Sequence, residues 1–258
     1  MKNLNTFWQI VFREVLIFLK LMKSKIIDIL IITCTNVIVF TVLMPYFGLE
    51  SSYGQLIAVG LISILSLFEV VPRTTNLISD ITGNKKISYF LTLPLPTSLV
   101  LIAIPIGWAA CGGLYTIFIL PVAKIFLYHE LDLSHFSLLK FVVSFITIQL
   151  MYGFFAFFLT SLIKDMKYIS WVWARVINPL LMFGGYFYTW MAINSISHIA
   201  GILNLFNPVM LACETLRAAV LGQKGYIDFW FAILGLWLFI ILFALFGVIR
   251  LKKRLDCV

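Results

Sequence analysis

The chain has 258 residues, of which 62% are hydrophobic and only 12% charged, and it carries a net charge of +8. A mean hydropathy of +1.05 excludes a water-soluble domain, because a core of this size could not hide so much apolar surface. The basic excess does not point to nucleic acid, since its distribution along the chain follows a membrane-topology pattern.

In chain order, the first 25 residues are interrupted by Arg13, Glu14, Lys20 and Lys23, so they lack the sustained apolar core of a cleavable signal peptide. Trp8, Val11, Phe12, Val15, Leu19 and Met22 recur at helical spacing. That pattern predicts an N-terminal interfacial amphipathic helix over residues 1–25, lying on the inner leaflet. The alternative is a lead-in that merely continues the first span. Six apolar stretches follow in one six-span domain, residues 26–258: Ile26–Phe47, Gly54–Val71, Ser98–Leu120, Phe141–Ile163, Ile169–Trp190 and Phe229–Ile249. Each approaches the ~20 residues that carry a helix across a bilayer core of about 30 Å. The fold class expected is an all-α membrane protein with six transmembrane helices. Pro105, Gly112, Gly113, Pro179, Gly184 and Gly185 inside the spans predict kinks and close packing.

Two loops are long, residues 72–97 and 191–228. In the first, Gly83-Asn84 is a turn signal. Lys85 to Leu93 reads as a short amphipathic helix with Ile87, Phe90 and Leu91 on its apolar edge, stopped by Pro94 and Pro96. A stiff helix projecting from a membrane domain is a handle for a soluble partner; a solvated connector is the alternative. In the second loop, Asn207-Pro208 is a helix-start signature and Gly222 a stop. The apolar run before Glu214 is roughly half a span. The expectation is therefore an outer re-entrant or interfacial helix, packed against protein wherever it enters the membrane.

Placing the N-terminus in the cytoplasm puts fifteen basic residues on the inner side and four, Lys124, Lys140, Arg217 and Lys224, on the outer. This bias predicts both termini in the cytoplasm of a bacterial-type plasma (inner) membrane. Asp28, Glu69 and Arg175 sit near the inner ends of their spans. They read either as an inner-leaflet cluster pairing Arg175 with Glu69 or Asp28, or as three groups snorkelling independently to the headgroups. Cys34, Cys111, Cys213 and Cys257 are scattered, and His129, His135 and His198 fall on outer loops. No metal, redox or catalytic site is expected from them.

Several of these stretches together resemble the transmembrane subunits of ABC transporters of the type-2 permease family, the type V exporters. Pro179 followed by Gly184-Gly185 and Tyr186 to Tyr188 is similar to that family's fifth span, Asn207-Pro208 with Arg217 to its outer helix, and Leu93-Pro94-Leu95-Pro96 to the element after its coupling helix. The chain departs from the family at Lys86–Tyr89, where an acidic residue is common, and around Ala192–Asn194, where a Leu-Pro is common. The resemblance implies an exporter of a hydrophobic or amphipathic substrate such as a lipid, a drug or a lipid-linked glycan. Lys85, Lys86, Ile87, Phe90, Leu91, Pro94 and Pro96 would form the coupling to a separate ATPase subunit. That partner would hold ATP and Mg, since this chain has no phosphate-cradling GxxxxGK[ST] loop and is no enzyme by itself. Six spans imply a homodimer, or a heterodimer with a second permease. The substrate path would involve Thr33, Asn36, Asn178, Gly184, Gly185, Tyr186 and Tyr188, for each of which helix packing is the alternative. Competing classes are an ion-coupled secondary transporter, which calls for internal repeats and a membrane-centred acid, and a membrane assembly subunit that moves nothing.

Overall fold

The computed structural model describes residues 2–48, 50, 53–84, 86–127 and 131–256, with only the backbone of Lys86 among them. Lys85, His129 and Cys257 lie outside the described residues. Within these limits every regular element is helical. α1 (Lys2–Val37) runs on through a π-helical turn, Ile38–Leu43, and a 3-10 turn, Met44–Phe47. α2 (Tyr53–Val70) is followed by α3 (Pro72–Ser79), α4 (Lys86–Leu91), α5 (Thr97–Thr116), α6 (Ile119–Phe126) and α7 (Leu138–Leu162). The remainder comprises α8 (Ile169–Val172), α9 (Asn178–Met182), α10 (Trp190–Ile196), α11 (His198–Leu205), α12 (Pro208–Val220) and α13 (Phe229–Asp256).

Five helical stretches are long and apolar enough to cross a membrane: Leu4–Phe47, Tyr53–Gly83, Thr97–Phe126, Leu138–Leu162 and Phe229–Leu255. They contain five of the six predicted spans, and the chain has the architecture of a multi-pass membrane protein. Two expectations are corrected. No break sets off a separate N-terminal helix at residues 1–25; α1 is continuous, because neither glycine nor proline occurs between Lys2 and Met44. At about 1.5 Å per residue the 44-residue stretch measures roughly 66 Å, twice a bilayer core. Its first turns therefore extend past the apolar slab and pack Ile10 and Val11 against Leu95, Val100 and Ala103 at the start of α5.

The second correction concerns Ile169–Trp190, which is not one helix. α8 passes into a π-helical turn, Trp173–Ile177, then the five residues of α9, and residues 183–188 are non-helical. Pro179 has no N–H to give to the preceding turn, which the wider π-turn accommodates. Gly185, at φ +68°, then turns the backbone out of the helical path. Beyond α10, α11 and α12 meet at an angle of 93°, so together they do not form a straight rod.

α2 is the central helix, buried along most of its length against α5, α7 and α12. Where α2, α5 and α7 meet, the Gln149 amide donates to Ser66 (2.7 Å) and Thr116 (3.1 Å), and the Ser63 and Tyr152 hydroxyls are 2.7 Å apart. Such side-chain bonds hold helices together where lipid offers no hydrophobic gain from association. Gly153 of α7 lets the Pro105 carbonyl of α5 approach closely, and a Cβ there would also sit 3.2 Å from that of Ala109. Gly153→Ala should therefore cost about 1–3 kcal/mol in the thermal unfolding of detergent-solubilised protein. Gly83→Ala, which meets nothing within 4 Å, should change it by less than about 0.5 kcal/mol.

The periphery is apolar. α13 exposes Trp230, Leu234, Trp237, Leu238, Ile241 and Leu245, and α1 exposes Leu16, Leu30 and Ile31. Arg254 fastens the end of α13 to the end of α7, donating to the carbonyls of Thr160, Ile163 and Lys164 at 3.1, 2.6 and 2.8 Å. That end, with Lys167, Arg250, Lys252 and Lys253, is the basic pole of the bundle; residues 131–137 and 221–228 mark the far pole.

Candidate functional site

Three groups of chemistry-bearing side chains stand out, beginning at the basic pole. The turn that ends α3 brings Asp80 to the start of α4, where its Oδ2 accepts the Ile87 N–H at 2.7 Å. Ile87 is buried, Phe90 lies under the Arg13 guanidinium 4.7 Å away, and Leu91 packs into the cluster of Ile10 and Val11. The predicted apolar edge of α4 is thus spent on the chain's own α1 and α5 rather than turned outward. Tyr89, Pro94 and Pro96 are exposed, and Tyr89 keeps 70% of its surface.

The predicted cluster of Asp28, Glu69 and Arg175 does not form. Glu69 pairs with Lys25 at 2.8 Å and with Arg73 at 2.9 Å, and Arg73 reaches Glu14 at 3.9 Å. Asp28 and Arg175 are exposed and join no ion pair among the described residues; the Arg175 guanidinium sits over the Trp171 ring at 4.9 Å. α1 and α2 lie side by side and bring Lys25 to Glu69, whereas Arg175, on the π-helical turn after α8, turns to Trp171. Arg73 is one turn beyond Glu69, the i,i+4 spacing that pairs side chains on a helix. Beside this network, Arg13, Glu14, Arg73, Asn76, Asp80 and Trp108 line a cavity of about 210 Å³.

The third group is built around the break in the segment predicted as the fifth span. A non-helical backbone within a membrane-spanning bundle must find its hydrogen bonds in protein. Arg217 supplies them. Its Nη1 donates to the carbonyls of Gly185 (2.6 Å) and Tyr188 (3.1 Å), Nη2 to Tyr186 (2.8 Å) and Leu56 (3.2 Å), and Nε to Leu56 (3.2 Å). All five guanidinium N–H groups are therefore engaged. The carbonyl of Phe187, between those of Tyr186 and Tyr188, accepts from the Tyr53 hydroxyl. Glu214 balances the charge from 3.7 Å, and its oxygens accept the N–H groups of Trp190 (3.2 Å) and Ile227 (3.0 Å). Both side chains are fully buried.

Glycines make the approach possible. A Cβ on Gly60 of α2 would stand 2.9 Å from Arg217 Nη2, and one on Gly184 would stand 2.5 Å from Val209. One on Gly185 would strike Met210. Asn207 caps α12 by accepting the Val209 N–H at 3.0 Å and donates to the Leu180 carbonyl at 2.8 Å, which closes the end of α9. α12 starts at Pro208 and ends at Val220, ahead of Gly222 at φ +98°, and is buried along its whole length.

Of the predicted path residues, Asn36 and Tyr186 come together, while Gly184 and Gly185 pack against Val209 and Met210 of α12. Asn36 accepts from the Tyr186 hydroxyl at 2.9 Å and donates to Ile32, while Thr33 is buried with an unpartnered hydroxyl. Tyr188 donates to Met182 at 3.2 Å, and Asn178 is exposed on α9, apart from them. Sequence reasoning missed Lys25 and Arg73 as partners of Glu69, Glu14 as a partner of Arg73, and Glu214 as partner of Arg217. The Glu69–Arg73 and Glu214–Arg217 pairs were present as acid–base spacings of four and three. No protein-family model matches this chain, and no curated protein matches it.

Proposed function

We propose that the chain is the membrane-spanning subunit of an ATP-driven exporter, moving a hydrophobic or amphipathic substrate across a bacterial-type inner membrane with both termini in the cytoplasm. ATP and Mg belong to a separate ATPase subunit, and a second permease, identical or similar, completes the pump. The observation that carries this reading is how α4 is mounted. It hangs from the continuous Tyr53–Gly83 helix, is clipped to it through Asp80 and Ile87, and is held to α1 through Phe90 and Arg13. A displacement of α4 is passed to α1 and α2 as rigid bodies, and rigid-body exchange between packed states is how such pumps switch. Tyr89, Pro94 and Pro96 offer the contact surface for the ATPase. The ordered resemblance at Pro179–Tyr188, Asn207-Pro208 and Leu93–Pro96 adds to it.

An ion-coupled carrier needs a carboxylate free to cycle, whereas both buried carboxylates among the described residues, Glu69 and Glu214, face a base within 4 Å. The deciding experiment is reconstitution in proteoliposomes with the ATPase that purifies with the chain. Lipid or drug efflux should require ATP, and Tyr89→Ala with Pro94→Ala should uncouple hydrolysis from efflux without lowering the permease's melting temperature. Uphill flux with no nucleotide present would overturn the proposal.

A further inference from the structure

The apolar side of the broken span carries a feature that none of the residues discussed so far explains. Between α9 and α11 runs a groove of about 560 Å³, within the roughly 300–1,000 Å³ that small-molecule sites occupy. Its walls are Val176, Pro179, Phe183, Leu203 and Phe206, and three of them, Phe183, Leu203 and Phe206, are 60–72% exposed. In a chain of membrane-crossing helices such a surface meets acyl chains rather than water.

Three polar side chains line the same groove, and one of them, Asn207, is already engaged with Leu180 and Val209. Asn204 is 5% exposed, and its amide nitrogen has no hydrogen-bond partner among the described residues. A buried donor left unmade is costly, so a group that accepts from it is favoured there. Arg175 lines the groove toward the basic pole, is exposed, and joins no ion pair among the described residues. The guanidinium sits over the Trp171 ring at 4.9 Å, which orients it without neutralising it. Arginine is the side chain best matched to a phosphate diester.

We infer that this groove binds one anionic membrane phospholipid. The acyl chain lies along Pro179, Phe183, Leu203 and Phe206, an ester carbonyl accepts from Asn204 Nδ2, and the phosphate meets Arg175. Each of the three parts has its counterpart in the lipid, and basic pockets between membrane helices select anionic headgroups for the same reason. The site depends only on the chain lying in a membrane, not on its being an exporter.

The test uses the purified full chain in detergent, without ATPase or nucleotide, titrated with dioleoylphosphatidylglycerol and separately with dioleoylphosphatidylcholine. Native mass spectrometry reads the bound lipid, and thermal unfolding reads the stabilisation. One phosphatidylglycerol should bind in preference to phosphatidylcholine. Arg175→Gln should weaken phosphatidylglycerol about tenfold and erase the preference. Asn204→Leu should weaken both lipids about fivefold, and its lipid-free melting temperature should not fall, because no bond is lost. Equal binding of the two lipids, or indifference to either substitution, overturns the site. So does an Ala200→Cys protein that cross-links to a second copy across the groove, since the occupant would then be protein. Failure of either result leaves the exporter reading untouched, and failure of ATP-driven efflux leaves the lipid site standing.

Discussion

Replacing Arg217 by leucine is expected to prevent the protein from accumulating in folded form. Four backbone carbonyls lose their donor at once, each at about 1–3 kcal/mol when buried. Glu214 is left fully buried with its counter-charge gone, a loss of about 3–5 kcal/mol for a pair broken from one side. These terms are not additive, yet either approaches the ~5–15 kcal/mol that is the whole stability of a typical domain. Arg217→Lys should fare little better, since an ammonium has three donors on one nitrogen and cannot reach carbonyls spread around the edges of the guanidinium. The Arg217→Leu, Glu214→Gln double variant separates the causes. If the ion pair dominates, it recovers much of the loss; the geometry predicts that it does not, because the carbonyls of 185, 186 and 188 remain orphaned. The check is monodisperse yield and melting temperature in detergent. A wild-type melting curve for Arg217→Leu would sink the account of the broken span.

The second large effect is expected at Glu69. Glu69→Gln removes the counter-charge of Lys25 and Arg73 together, and should cost about 3 kcal/mol. That is the low end for a buried pair, because the Lys25 side chain is 31% exposed and is partly compensated by solvent. Asp28→Asn and Arg175→Gln, both exposed, should each change lipid-free stability by less than about 0.5 kcal/mol. A double-mutant cycle between Lys25→Met and Glu69→Gln should return a coupling of about 0.5–3 kcal/mol. No coupling there, with coupling between Glu69 and Arg175 instead, would favour the pairing expected from sequence over the one observed.

Five of the spans were legible because about 20 apolar residues in a row have one physical outcome in lipid. The start and stop of α12 were legible for a local reason, Asn207-Pro208 at one end and Gly222 at the other. What was not legible depended on contacts between distant residues. Hydropathy counts Ile169–Trp190 as a span because it sees only side chains. The break at residues 183–188 is tolerated only because Arg217, 29 to 32 residues on, and Tyr53, 134 residues back, serve its carbonyls. The inward turn of α4 was hidden likewise, since its apolar edge is satisfied by an N-terminal stretch that the sequence reading placed in a separate helix. The partners of Glu69 were not legible because sidedness puts many charges at one membrane face, while helix adjacency alone selects among them.

The Arg217 fastening also bears on how the chain is made. During synthesis the carbonyls of Gly185, Tyr186 and Tyr188 emerge some thirty residues before the side chain that will receive them. Until then that stretch has no resting place in hydrocarbon, and must wait in the insertion machinery or against water. Insertion of the second half of the molecule is thus a single late event, timed by the arrival of one cation.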